Sequence, residues 1–169
     1  MRRFLLIACF AMLTSTTSLA QSESRAAFVL SKVDEHVVKE FGRAWAASAN
    51  GVRSTEAIVL VFRMADGSIK AVPGGYTNEA FKFTFKWNPA TFAVIHTHPN
   101  RKAPEPQPPD VMIADRFGVP MFTITFSGMY LYDPATRRTS KVFDGLDWLK
   151  LSSWARYATR ATDHPIAKQ

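Results

Sequence analysis

The sequence predicts a mixed α/β (α+β) domain, a mixed β-sheet flanked by helices, and three observations carry that expectation. Apolar residues recur at helical spacing near the start, from Phe28 to Trp45. Two pairs of β-branched or aromatic stretches double back across the turn residues Ala65-Asp66-Gly67 and Ser127-Gly128. Between these pairs, an apolar run leads through a proline-rich loop into a short helical segment. Strands interrupted by helices in this way fit neither a helical bundle nor a regular doubly wound sheet.

The elements follow in order. Phe28, Leu30, Val33, Val37, Val38, Phe41 and Trp45 recur at three- and four-residue steps, and Asn50-Gly51 supplies a stop, so one long amphipathic helix is expected from Ser24 to Asn50. Ala57 to Arg63 (AIVLVFR) reads as a strand, and Ile69 to Val72 as its returning partner. Pro73-Gly74-Gly75 is expected to end that hairpin. Phe81, Phe83, Phe85 and Trp87 alternate with Lys82, Thr84 and Lys86, the pattern of a strand with one face on the core.

Asn88-Pro89 turns the chain into a strand from Thr91 to His96. Residues Asn100 to Pro109 contain four prolines and form a restricted loop. A short helix from Pro109-Asp110 ends at Gly118. Met121 to Phe126 and Met129 to Tyr132 make the second hairpin, and Leu146 to Ala158 a C-terminal helix. At 169 residues and 47% hydrophobic content, the chain can bury one core. One domain is expected over residues 21–169, its core about 24–158.

Residues 1–20 stand apart. Arg2-Arg3, the apolar stretch Phe4 to Leu13, a Thr/Ser run and Ser18-Leu19-Ala20 together read as a secretory signal peptide cleaved after Ala20. The apolar stretch is shorter than the roughly 20 residues that a stable membrane anchor needs. The expected location is therefore outside the cytoplasm, periplasmic or secreted. A lipoprotein reading centred on Cys9 would leave only Phe4 to Ala8 as its apolar segment.

Cys9 is the sole cysteine, so the exported chain cannot form a disulfide and any metal must be held by nitrogen and oxygen. Removing Arg2 and Arg3 leaves 19 basic against 14 acidic residues, a net charge of +5. Those basic residues are scattered, and without a basic cluster no nucleic-acid partner is expected.

The stretch "VIHTHPN", residues 94–100, carries the chemistry. On a strand, the period of two aims His96 and His98 to one side and Thr97 to the other. Two imidazoles at a strand end, with a carboxylate at the start of the next helix, make three ligands suited to Zn²⁺, leaving a fourth position for water. Asp110 directly follows the loop, whereas Asp115 lies roughly 140° further round the same helix. Glu56, opening the strand Ala57 to Arg63, is the expected general base, with Glu79 and Glu105 as weaker alternatives.

"HTHPNRKAPEPQPPD" resembles the metal motif of the JAB/MPN domain, the JAMM family of zinc metalloproteases, and the later "GVPMFTITFSGMYLYDP" resembles its bacterial members. That family's pattern is an early-strand glutamate, then His-x-His-Pro, a loop, and Ser-x-x-Asp at a helix start. His96-Thr97-His98-Pro99, Asp110 and Glu56 match it, and the order of elements is similar from roughly Ser24 to Pro134. The resemblance implies a JAB/MPN-like, cytidine-deaminase-like fold. It also implies a Zn²⁺ ion on His96, His98 and Asp110, a water activated by Glu56, and hydrolysis of a peptide or isopeptide amide in a peptide or protein substrate.

Two departures stand out. Eleven residues separate His98 from Asp110, one more than the family spacing, and Gln107 replaces the motif serine that supports the oxyanion. Gln107 and Thr97 are the sequence's candidates for that supporting role. The competing expectation is a binding module that keeps the fold and the metal without turnover. Longer His-x-His hydrolase barrels need more chain than this, and a metal-dependent nuclease would need a basic groove.

Overall fold

In a computed structural model of the chain, residues 24–76 and 85–155 are described. The expected signal peptide, Glu79, Phe81 and Phe83, and the end of the expected C-terminal helix lie outside the described residues. Two helices, α1 (Arg25–Lys32) and α2 (Glu35–Ala47), precede a hairpin of β1 (Ala57–Arg63) and β2 (Ile69–Tyr76). Next come β3 (Thr91–Thr97), α3 (Pro108–Phe117), β4 (Met121–Thr125), β5 (Gly128–Asp133) and β6 (Arg138–Asp144). A 3-10 turn (Asp147–Leu149) and a helical segment at 151–155 follow.

The six strands form one mixed sheet in the order β2-β1-β3-β4-β5-β6, with helices on both faces. Only β3 and β4 run parallel, and α3 is the crossover between them. Side-chain alternation divides the core in two. Ala57, Val59, Val61, Ala93, Ile95, Phe122 and Ile124 face α1, α2 and Trp148. Ile58, Leu60, Val94 and Met121 face the α3 side with Ala114, and Phe85 and Trp87 pack there too. Trp87 stacks on Phe117 with ring centroids 3.8 Å apart.

Five expectations need correction. The helix expected from Leu146 begins only at residue 151, because Lys150, after the 3-10 turn, is extended (ψ 113°). The single helix from Ser24 to Asn50 is two helices, because Val33 is extended (ψ 122°) and Asp34 caps α2 by accepting from the Val37 N–H at 2.9 Å. The hairpin does not stop at Val72. Strand β2 runs on through Pro73 to Tyr76, with a bulge opposite Ile58 and Val59. Among the described residues β2 pairs with β1 alone, and an edge strand is where a proline is tolerated. Phe85 to Trp87 pack as non-strand chain. Strand β6 was not expected: its Arg138-Thr139-Ser140-Lys141 is exposed and shows no alternation.

Trp148 and Trp154 are buried packing residues. Among the described residues no helix is long and apolar enough to cross a membrane.

Candidate metal centre

The parallel β3–β4 step sets the site. Val94, His96 and His98 share the α3 side, and α3 starts beyond the end of β3. Both histidines are fully buried. The two Nε2 atoms face each other at 3.0 Å. Two lone pairs tolerate that approach only with a proton or a metal cation between them. Glu56, also buried, joins them, and ligand atoms of Glu56, His96 and His98 lie within 4.8 Å of one another. This buried group could hold a metal ion.

Helix α3 brings Asp110 to the same place. Its Oδ2 lies 3.6 Å from His96 Nε2 and 3.5 Å from His98 Nε2. The three separations define a circle of about 2.0 Å radius, the length of a bond from a divalent transition metal to nitrogen or oxygen. Two carboxylates, Asp110 and Glu56, therefore stand beside the histidines as candidates for the third place. Oδ2 also accepts from the Gln107 N–H at 2.7 Å, tying the carboxylate to the first turn of α3.

Hydrogen bonding orients His98 further. Its Nδ1 lies 2.8 Å from the Ala103 carbonyl, which can only accept, so Nδ1 carries the proton and the neutral ring turns a lone pair on Nε2 toward the centre. Burial pushes the His98 pKa below the ordinary histidine value, overriding the Asp110 contact that acts the other way, and so favours that neutral form. Burial also acts to raise the Asp110 pKa, but His96, His98 and the Gln107 N–H together hold it well below the usual carboxylate range.

Glu56 is fixed from two sides. The Ala57 N–H donates to Thr97 Oγ1 at 2.9 Å, so the threonine between the two histidines locks the start of β1 against the end of β3. Lys102 Nζ then donates to Glu56 Oε1 at 2.8 Å. Glu56 Oε2 is buried and has no hydrogen-bond partner among the described residues.

The remaining sequence candidates fall elsewhere. Gln107 turns its amide away, donating from Nε2 to the Glu105 carbonyl at 2.8 Å. Glu105 is exposed on that loop. Asp115 accepts from the Tyr132 hydroxyl at 2.9 Å, binding α3 to β5 rather than to the centre. A cleft of about 320 Å³ lined by Arg25, Asp115 and Arg137 contains none of the candidate ligands.

Sequence reasoning missed Lys102. Its partner lies 46 residues away, so no local pattern joins them; a lysine four residues past the second histidine was the only signal. Comparison with protein-family models, with curated proteins and with solved structures gives no match.

Proposed function

We propose that the chain is an exported zinc-dependent hydrolase of the JAB/MPN kind, cleaving a peptide or isopeptide amide. The observation that supports it most is the spacing of His96, His98 and Asp110 at 3.0, 3.5 and 3.6 Å around one point, with a further buried carboxylate, Glu56, beside them. Two imidazoles and one carboxylate suit zinc and leave one position open, the arrangement of catalytic rather than structural zinc sites. When bound, zinc supplies Lewis acidity, polarising the scissile carbonyl and easing deprotonation of a water.

The chain's own residues do the rest. His96, His98 and Asp110 hold the ion. Glu56 Oε2 takes a proton from the attacking water and later gives it to the departing amine nitrogen, so that amide and water become acid and amine. Thr97 keeps Glu56 in place through the Ala57 N–H. The buried surroundings keep bulk water from this carboxylate.

The test is zinc content, by elemental mass spectrometry, of the purified chain, a His96→Ala/His98→Ala variant and Glu56→Gln. The reading expects about one zinc per wild-type chain, none in the double variant, and retention in Glu56→Gln with loss of amide hydrolysis. A wild-type chain that takes up no zinc overturns it. Zinc retained in Glu56→Gln together with an undiminished partner interaction and no wild-type turnover would favour the binding-module reading.

A further inference from the structure

The proposed centre lacks the motif serine, and its sequence replacement, Gln107, spends its amide on the Glu105 carbonyl. A different donor is built into the same loop. Lys102 lies four residues past His98 and its ammonium is held on Glu56 Oε1 at 2.8 Å.

This placement comes from an anchored loop. The Asn100 N–H donates to the Gly51 carbonyl at 2.8 Å, and the Lys102 N–H to the Pro99 carbonyl at 2.9 Å. The next two residues are tied as well, Ala103 by His98 and Pro104 by the Thr123 hydroxyl. Loop backbone on both sides of Lys102 is therefore fixed, and its side chain alone bridges to Glu56. That side chain is 19% exposed against 1% for Glu56, so Lys102 links the buried carboxylate to the protein surface.

Charge counting gives the consequence. Glu56 and Asp110 contribute two negative charges and Lys102 one positive, so a divalent ion on neutral histidines brings the group to +1. A buried group with surplus positive charge favours an anionic oxygen. Lysine also has three donors, and one is used on Glu56.

Resting on the zinc reading, we propose that Lys102 is the anion-binding residue of this centre, holding the negative oxygen that the missing serine would have supported. An oxygen bound beside Glu56 Oε1 is within reach of the remaining Lys102 donors, because the ammonium lies 2.8 Å from that atom. The substrate class is thus an amide whose carbonyl oxygen gains negative charge during hydrolysis.

The experiment uses the full exported chain loaded with Co²⁺, whose visible absorption reports ligands without turnover, titrated with acetohydroxamate. Four proteins are compared: wild type, Lys102→Met, Lys102→Arg, and Lys102→Met/Glu56→Gln. The double variant removes the unpaired buried carboxylate that could unfold Lys102→Met. Acetohydroxamate should bind roughly tenfold or more weakly to both Met-containing variants than to wild type. Lys102→Arg should retain most of the affinity, and cobalt content should be unchanged. Equal acetohydroxamate affinity in wild type and the double variant, both carrying cobalt, overturns the role of Lys102 and leaves the metal reading standing. Absence of cobalt binding in wild type overturns both.

Discussion

Replacing Asp110 by alanine separates two contributions that the structure assigns to one carboxylate oxygen. Oδ2 closes the first turn of α3 by accepting from the Gln107 N–H, and it lies 3.5–3.6 Å from both histidine nitrogens. The first contribution is independent of metal and is worth about 1 kcal/mol, the usual value of a helix-start contact. The second acts in both states: without metal the two histidines favour the ionised carboxylate, and with metal all three would share the ion. At a free zinc concentration of 100 times Kd, binding stabilises the folded chain by about 2.7 kcal/mol. For a chain of this size each kcal/mol moves Tm by roughly 2–4 °C.

Thermal unfolding followed by circular dichroism, with EDTA and then with zinc, reads both contributions. In EDTA, Asp110→Ala should melt at least roughly 2–4 °C below wild type, because the histidine contacts are lost along with the cap. In zinc, wild type should gain roughly 5–11 °C and the variant far less. Glu56→Ala is the necessary companion, because Glu56 also lies with the histidines. It should retain the zinc-induced rise. If Asp110→Ala keeps the full rise and Glu56→Ala loses it, the third ligand is Glu56 and the assignment of roles is wrong.

Two further outcomes follow from the same geometry. His98 has a folded pKa below its unfolded value, so between the two the folded chain binds fewer protons than the unfolded chain. Stability of the metal-free protein should therefore fall as pH drops through about 6.5; equal urea midpoints for wild type and His98→Gln changes between pH 7.5 and 5.5 would contradict this. Gly51 sits at φ +74°, and a Cβ there would meet Asn100 Oδ1 at 2.5 Å and Trp45 Cη2 at 2.7 Å. Gly51→Ala should cost about 1–3 kcal/mol in denaturant unfolding, and a variant as stable as wild type would show that this contact yields freely.

Local chemistry was legible in the sequence where local rules decide it. The β-branched run Ala57 to Arg63 forms β1 over those same residues, and Gly118 ends α3 in the left-handed conformation expected of it (φ +62°). Rules failed where context outranks pattern. The apolar rhythm continues across Val33, yet the Asp34 side chain satisfies an N–H better as a cap than as a helical residue. Pro73 reads as a breaker until its strand is seen, among the described residues, at the edge of the sheet beside β1. Strand β6 leaves four consecutive residues exposed, so neither face announces itself.

The centre divides along the same line. His96, His98 and Asp110 lie within 15 residues of sequence, and strand period plus helix start was enough to suggest their meeting. Lys102 and Glu56 meet only through the β1–β3 pairing, and Gln107 looked available because a single backbone carbonyl could not be foreseen as its partner.

That pairing also bears on when the centre comes into being. Ile58 lies opposite His96, and the Thr97 hydroxyl holds the next step. Slipping the two strands by one residue would turn Glu56 to the opposite face. Before β1 and β3 pair, the chain offers an ion two imidazoles and the sequence-local Asp110, without Glu56 beside them. On the metal reading, ligands and base come together as one working site only once those two strands have found their register.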